Sequence, residues 1–302
     1  MNRLYYINFD AASEKELEEA RKQYMENPMS LLEVDEKDAE RITGKIVEFL
    51  KAYTAESKTK GYVIGLSGGI DSSLCAALAV KAVSSENVYG MLLSSKCTAK
   101  EHEDHAFEVA SKFGIKTNDP NHIKKHFDDA VELTMRMTEI EKEHPNYKLL
   151  LGNNHARERM KILRGKAASL RYLVLGTTNL TEAWLGYATI AGDGYKGIDV
   201  EPIQRLPKTS ERMYAKFIGI PEQVITKAPT AGLWEGQTDE GELGMSYEDI
   251  DRVMAGHLLG ISIEGIVKAN NKQTITEKTI QEIIARAKAN EFKAKPEPFA
   301  LI

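Results

Sequence analysis

A short segment of serines, glycines and one aspartate has the composition of a phosphate-binding turn. Ser67-Gly68-Gly69-Ile70-Asp71-Ser72-Ser73 follows the β-prone run Tyr62 to Leu66 and precedes the helix-forming run Leu74 to Val83. Adjacent glycines let the backbone approach a phosphate, and a helix N-terminus directs amide groups toward it. The lysine of a Walker A loop is missing, and Asp71 could instead hold a magnesium ion that accompanies phosphates. The segment predicts a cradle for a departing pyrophosphate; a glycine turn capped by Asp71 is the structural alternative.

The elements around this turn alternate between strands and helices. Further strands are predicted at Val88 to Leu93, near Ile115 to Thr117, and at Tyr172 to Gly176. This alternation indicates an α/β fold with a doubly wound parallel sheet flanked by helices, which binds ligands beyond the carboxyl ends of its strands. The other predicted helical segments are Glu14 to Tyr24, Asp38 to Tyr53, Glu101 to Phe113, His122 to Thr138, Asn154 to Arg171, Lys208 to Ile218 and Pro221 to Lys227.

The C-terminal third should be mainly helical. Capping boxes are predicted at Ser246 with Asp249 and at Thr274 with Glu277. The stretch Thr230 to Gly244 is polar, rich in glycine and without periodicity, which predicts a mobile active-site loop or an inert surface loop. If it is an active-site loop, Leu233 and Trp234 could close over the reacting groups.

Composition limits the class of protein. The 302 residues are 42% hydrophobic and 28% charged, which fits one globular domain with a helical N-terminal extension (about 1–55) and a short C-terminal tail (about 290–302). No targeting segment or membrane span is apparent, so a cytoplasmic protein is expected. The net charge of −5 disfavours a nucleic-acid binder. Two cysteines, Cys75 and Cys97, support neither a disulfide framework nor a cysteine metal site.

Five ordered motifs resemble a known enzyme family. The turn resembles the Ser-Gly-Gly-x-Asp-Ser loop of the ATP pyrophosphatase superfamily, which implies an adenine-nucleotide alpha-hydrolase-like, Rossmann-like fold. Within that superfamily the chain resembles ammonia-dependent NAD synthetase from about Asn27 to Lys293. The other four motifs are Gly152-Asn153-Asn154-His155-Ala156-Arg157-Glu158-Arg159-Met160, Gly176-Thr177-Thr178-Asn179-Leu180-Thr181-Glu182, Gly192-Asp193-Gly194 and Ala228-Pro229-Thr230-Ala231-Gly232-Leu233.

The resemblance implies a carbon–nitrogen ligase that adenylates deamido-NAD with ATP, releases pyrophosphate, and then replaces AMP with ammonia. It also implies magnesium as cofactor and a homodimer with the dinucleotide site at the subunit boundary. Free ammonia is the expected nitrogen source, because the residues before the turn are too few for an amidase domain and contain no cysteine; a separate glutaminase subunit is the alternative. Rival readings are a transfer-RNA modifying or other amidating superfamily member, or a nucleotide-binding regulator without turnover.

The resemblance assigns roles to individual residues. The implied magnesium ligands are Asp71 and Glu182, which with Asp193 form the predicted catalytic set. The implied ATP-binding residues are Gly65, Ser67, Gly68, Gly69, Asp71, Ser72, Ser73, Thr177, Lys208 and Thr230. The implied dinucleotide-binding residues are Asn153, Arg157, Asp193, Asp199 and Lys293.

Several positions leave alternatives open or depart from the family. Asp193 could receive a proton as nitrogen attacks, or could only stabilise a turn. The family usually has a lysine where this chain has Ile190, and Lys196, in a loop with two extra residues, is the candidate to replace it. The family has His-Lys where this chain has Phe292-Lys293. These departures concern the dinucleotide contacts and leave the ATP-binding motifs intact.

Overall fold

A parallel sheet lies at the centre of the computed structural model, which describes residues 2–230, 238–296 and 298. Within these residues the strands run in the order β3-β2-β1-β4. They are β1 (Tyr62–Gly65), β2 (Val88–Met91), β3 (Lys116–Thr117) and β4 (Leu173–Val174). Tyr62 pairs with Val88 on one side and Leu173 on the other. A parallel bridge between Leu175 and Val200 extends the sheet beyond β4. The predicted parallel α/β sheet is therefore confirmed.

Helices surround the sheet. In the described residues the α-helices are α1 (Glu14–Glu26), α2 (Glu36–Glu56), α3 (Ile70–Val83), α4 (Lys100–Phe113), α5 (Pro120–Met137), α6 (Tyr147–Leu170), α7 (Leu180–Leu185), α8 (Lys208–Ile218), α9 (Glu222–Thr226), α10 (Asp239–Leu243), α11 (Tyr247–Leu258), α12 (Ile263–Asn270) and α13 (Glu277–Asn290). Across these described helices, none is both long and apolar enough to cross a membrane.

Alternate residues of β1 face two different helical layers. Tyr62 and Ile64 are buried in a cluster with α2 and α3, whereas Val63 packs in a second cluster with α6. This period of two is the geometry of a strand that is buried on both faces. The result is a three-layer arrangement in which the carboxyl ends of β1 and β4 remain at one edge.

The two N-terminal helices pack against different parts of the fold. Helix α2 begins with a capping box of Asp35 and Asp38 and packs against α3. Helix α1 instead contacts α11 and α12, where Tyr24 is fully buried. The Tyr24 hydroxyl donates to the carbonyl oxygen of Arg252 (2.8 Å) and accepts from the Asn270 side-chain amide (2.9 Å). The α1 segment therefore holds two C-terminal helices together.

Three local predictions need correction. The capping box predicted for Thr274 and Glu277 is wrong, because α13 is capped by Thr276 with Thr279, while the Thr274 hydroxyl donates to Asp249 (2.7 Å). Helix α6 begins earlier than predicted, at Tyr147.

The stretch Thr230 to Gly244 also differs from the prediction, since it contains α10, which is too short to produce a periodic pattern. Its residues 231–237, with the predicted closure by Leu233 and Trp234, lie outside the described residues.

Candidate active site

The glycine turn joins β1 to the N-terminus of α3. Gly68 has a φ of +72°, a left-handed conformation that favours glycine. A Cβ atom at Gly68 would also collide with the carbonyl oxygen of His102. The hydroxyl groups of Ser72 and Ser73 donate to the carbonyl oxygen of Gly69 (3.1 and 2.7 Å) and fix the start of the helix. The predicted strand, glycine turn and helix are confirmed as local structure.

A cavity of about 200 Å³ opens in front of this turn. It lies at the carboxyl end of the parallel strands, where ligands bind in open α/β sheets. The wall combines the turn with residues that are distant in sequence. The predicted site residues that line it are Ser67, Gly69, Asp71, Ser72, Thr177, Glu182, Asp193, Lys208 and Thr230.

Lys208 is the cation nearest to Asp71. It is the first residue of α8, it is only 1% exposed, and its Nζ lies 2.5 Å from both carboxylate oxygens of Asp71. The Glu211 carboxylate, one helical turn later, lies 3.2 Å from the same Nζ. The other oxygen of Glu211 is buried without a hydrogen-bond partner among the described residues. This cluster places one ammonium group between two carboxyl groups.

The charges of the cluster follow from burial and pairing. Burial opposes ionisation of Asp71, but the Lys208 ammonium and the hydrogen bonds to the carboxylate outweigh it and lower its pKa. For Glu182 and Glu211, burial and then the charge of Asp71 raise the pKa well above its ordinary value. Burial also opposes the charge of Lys208, yet Asp71 and Glu211 raise its pKa. The cluster is therefore built around the ion pair of Asp71 with Lys208, and burial disfavours ionisation of the two neighbouring carboxyl groups, Glu182 and Glu211.

Helix α7 connects Glu182 to this cluster. Asn179 caps the helix, and Glu182 completes a capping box by accepting the backbone N–H of Asn179 (3.2 Å). The side-chain amide of Asn179 donates to Asp71 (2.9 Å). Because β1 and β4 are neighbours, the segments that follow them meet here. The two predicted metal ligands, Asp71 and Glu182, consequently share one wall of the cavity.

A buried carboxylate supports Lys208 from behind. Asp251 of α11 is fully buried, accepts the backbone N–H of Thr209 (2.7 Å) and accepts the hydroxyl of Thr181. That hydroxyl accepts the backbone N–H of Lys208 (2.9 Å). Since Pro207 precedes Lys208 and offers no capping side chain, Asp251 replaces the missing helix cap. The start of α8 is thereby fixed against α7 and α11.

The predicted glycine-rich loop places Asp193 at the cavity. The Asp193 carboxylate accepts the backbone N–H of Thr189 (2.6 Å), and the Thr189 hydroxyl donates to Asn153 (2.9 Å). The residue as a whole is exposed, but its carboxyl group lies against the wall. Loss of water there raises its pKa, and the hydrogen bond from Thr189 opposes the increase. Asp193 therefore stabilises a turn and also faces the reacting space.

Other predicted dinucleotide-binding residues lie outside the cavity wall. Arg157 is exposed, and its Nε donates to the carbonyl oxygen of Ile190 (3.3 Å). Both carboxylate oxygens of Asp199 accept from Arg164 (2.7 Å each), and one also accepts the backbone N–H of Val174 (2.7 Å). These contacts give Asp199 a local structural role.

Phe292 and Lys293, which stand where the family has His-Lys, also lie outside the cavity wall. Lys293 Nζ donates to the carbonyl oxygens of Gly186 and Ala188 (2.7 and 3.1 Å). Phe292 is 58% exposed. Lys293 thus ties α13 to the segment between α7 and the glycine-rich loop. Of the implied ATP-binding residues, Gly65, Gly68 and Ser73 do not line the cavity.

The structure adds residues that sequence analysis did not select. Asn179 and Glu211 contact the cluster directly, and Asp251 supports it. Asn179 could have been found from its spacing to Glu182, which is that of a capping box. The i,i+3 spacing of Lys208 and Glu211 is a weaker signal, because such pairs are common on solvated helices. No local pattern distinguishes Asp251.

Comparisons with known proteins agree with this geometry. The NH(3)-dependent NAD(+) synthetase of Methanocaldococcus jannaschii is 39% identical over 256 residues, which are 84% of this chain and 94% of the relative. The Saccharolobus solfataricus protein of the same name is 43% identical over 218 residues, 72% and 74% of the two chains.

Solved structures show the same fold. NMN synthetase from Francisella tularensis has a TM-score of 0.70 at 29% identity, and NH3-dependent NAD synthetase from Campylobacter jejuni has 0.67 at 26%. Each comparison covers 87% of this chain and 99% of the other. A family model described as NAD synthase matches residues 42–297. Together with the cavity formed by the glycine turn, Asp71, Glu182 and Lys208, this match shows that the chain belongs to the NAD synthase family.

Proposed function

We propose that this chain forms NAD from deamido-NAD, ATP and ammonia through an adenylated intermediate, and releases AMP and pyrophosphate. The observation that carries the proposal is the convergence of Asp71, Glu182 and Lys208 at a glycine turn in front of one cavity. The 39% identical Methanocaldococcus relative, an NH(3)-dependent NAD(+) synthetase, supports the choice of reaction. The presence of Asp71, Glu182 and Lys208 together argues against a nucleotide-binding regulator without turnover.

The turn and Lys208 hold the triphosphate in this proposal. The amides at the start of α3 and the Lys208 ammonium stabilise the charge that develops on the departing pyrophosphate. The nicotinate carboxylate attacks the α-phosphorus, and the fixed geometry of the two substrates supplies much of the acceleration. Lys208 lies between Asp71 and Glu211, and these two contacts hold its ammonium group in place beside the glycine turn.

Magnesium fits the carboxyl groups of the cavity. Burial, and then the charge of Asp71, raise the pKa of Glu182, and a divalent cation held by both carboxyl groups would stabilise their ionised forms. The described residues contain no group of three metal-ligating side chains, so phosphate oxygens would have to complete the shell. When bound, magnesium would neutralise phosphate charge and orient the leaving group. Asp71 and Glu182 are the residues that would hold it.

Asp193 is the proposed proton acceptor when ammonia displaces AMP. Its carboxylate lies at the cavity, and loss of water around the carboxylate raises its pKa, which makes it a better base than an ordinary aspartate. Thr189 and, through it, Asn153 hold the group in place. Arg157, Asp199 and Lys293 are retained only as proposed dinucleotide contacts, because none of them lines the cavity.

A mononucleotide is the alternative amide acceptor. The Francisella structure at a TM-score of 0.70 is titled NMN synthetase, and the departures at Ile190 and Phe292 fall on expected dinucleotide contacts. The two acceptors can be separated by comparing kcat/KM for deamido-NAD and for nicotinate mononucleotide. A higher kcat/KM for nicotinate mononucleotide would make the mononucleotide the substrate in place of deamido-NAD, and the adenylation chemistry would be unchanged.

The remaining parts of the proposal concern assembly and location. We propose a homodimer of single-domain subunits, with a helical N-terminal extension, on the family resemblance; light scattering in solution tests the dimer. Both cysteines are free thiols, which agrees with a cytoplasmic location.

The test of function is analysis of the products by mass spectrometry. Protein incubated with ATP, magnesium, deamido-NAD and ¹⁵N-ammonium should give NAD carrying one ¹⁵N, with AMP and pyrophosphate in equal amounts. The Asp71→Asn variant should give none of these products, whereas the control Asp129→Asn, at an exposed position of α5, should match the unaltered chain. ADP in place of AMP, or unlabelled NAD, would contradict the mechanism.

A further inference from the structure

Lys227 carries a buried ammonium group that nothing in the proposed reaction uses. The residue follows α9 directly, lines the same cavity as the glycine turn, and is only part-exposed. Its Nζ is buried and has no hydrogen-bond partner in the described part of the chain. A buried charge without a partner is costly, and such groups are rare in folded proteins.

The other cations of the cavity are engaged by the protein. Lys208 pairs with Asp71 and Glu211. Arg159 donates through its Nε to the carbonyl oxygen of Leu93 (3.2 Å) and lies over the ring of Phe127, 5.3 Å from its centre. Lys227 has only the more distant attraction of Glu101, with no ion pair between them among the described residues. Unlike Lys208 Nζ and Arg159 Nε, its charged nitrogen has no hydrogen-bond partner among the described residues.

The neighbours of Lys227 locate it beside the glycine turn. Burial, and then the positive charge of Lys227, lower the pKa of His102. The carbonyl oxygen of His102 lies where a Cβ atom of Gly68 would be. Lys227 is therefore close to His102, the residue that packs on the turn, and both line the cavity.

We propose that Lys227 is a further phosphate-binding residue, which donates hydrogen bonds to the β- and γ-phosphates of ATP and stays with them as they leave as pyrophosphate. The two anionic phosphates would accept the hydrogen bonds that Lys227 Nζ does not make within the described residues. The chemical identity of the ligand rests on the proposed function, but the prediction of a di- or triphosphate contact at Lys227 can be tested without turnover.

The test measures ligand affinity by calorimetry in the presence of magnesium and without deamido-NAD. Lys227→Met, which removes the charge and keeps the length, should bind ATP and pyrophosphate about 10- to 100-fold more weakly and AMP with unchanged affinity. Lys227→Arg should recover most of the loss. Lys216→Met is the control, because Lys216 is exposed on α8, and it should bind all three ligands normally.

A second readout separates ligand binding from a structural role. Removing an unpartnered buried cation should leave the melting temperature of the ligand-free protein unchanged or higher, while a lysine that stabilised the fold would lower it on substitution. Unchanged ATP affinity in Lys227→Met, or equal losses for ATP and AMP, would overturn the proposal. If the unaltered chain binds ATP but forms no NAD, the proposed function fails and the Lys227 comparison still stands.

Discussion

Glu201 offers a test of the electrostatics beside the predicted ATP-binding motif. The backbone N–H and the hydroxyl of Thr178 both donate to its carboxyl group (3.0 and 2.8 Å). Burial nevertheless outweighs these hydrogen bonds and raises the pKa of Glu201 from 4.5 to about 7. In the unfolded chain the same group should titrate near its ordinary value. The folded protein therefore holds a proton between about pH 4.5 and about pH 7 that the unfolded chain releases.

The sign of the effect on stability follows from this difference. Because the folded state binds the extra proton, its advantage is complete below about pH 4.5 and is lost as the pH rises to about 7. At about 1.4 kcal/mol per pKa unit, the rise of the pKa from 4.5 to about 7 amounts to a loss of about 3.5 kcal/mol at most. Glu201→Gln removes the titration and imitates the neutral carboxyl group.

Urea unfolding at a series of pH values measures the effect. The free energy of unfolding of Glu201→Gln, relative to the unaltered chain, should increase by up to about 3.5 kcal/mol between pH 4.5 and pH 7 and then stay constant. Taking the difference cancels the titration of the other groups. Glu222→Gln, at an exposed position of α9, should give a much flatter difference. A Glu201→Gln difference that does not vary with pH would refute the argument.

Three other substitutions and one change of nitrogen source test the site. Asp71→Asn and Glu182→Gln should each abolish pyrophosphate release, and near-normal release in either variant would remove the metal assignment. Only Asp71→Asn should also lower the unfolding free energy, by roughly 1–3 kcal/mol, because it leaves buried Lys208 with a neutral partner. Gly68→Ala should lower the unfolding free energy by about 1–2 kcal/mol from backbone strain alone. It should also weaken ATP binding in calorimetry, because the added methyl group meets His102. Normal ATP affinity would show that the turn does not hold phosphates. With ammonia scavenged, the chain should form no NAD from glutamine, and efficient glutamine-dependent formation would reveal an undetected glutaminase site.

The glycine turn and the parallel direction of the strands were predictable because their signals are local. The run Tyr62 to Leu66, the two glycines and the following helix formers lie within about twenty residues, and each segment has one clear pattern. Parallel order then followed from alternation of strands and helices. The capping error at α13 shows the limit of local patterns. Thr274 fits the capping sequence better than Thr276, but its hydroxyl is used by Asp249 of α11.

The ionic cluster could not be predicted because it depends on packing. Lys208 is separated from Asp71 by 137 positions, and their contact requires α8 to meet the end of β1. From sequence, an isolated lysine or glutamate is most often solvated. The resemblance selected Lys208 and Glu182, but it could not show that Glu211 lies beside them or that Asp251 replaces a helix cap. Such contacts become visible only when distant elements have packed.

The Tyr24 contacts set an order of events during synthesis. The hydroxyl of Tyr24 meets Arg252 and Asn270, which are 228 and 246 positions later in the chain. Helix α1 leaves the ribosome long before α11 and α12 are made, so its apolar side stays exposed to water or bound to a chaperone until then. Contacts with such separation slow folding, because the loop must close before they form. Asp251, which holds the start of α8, lies next to Arg252, so we expect the site to reach its final form only after α11 has been synthesised.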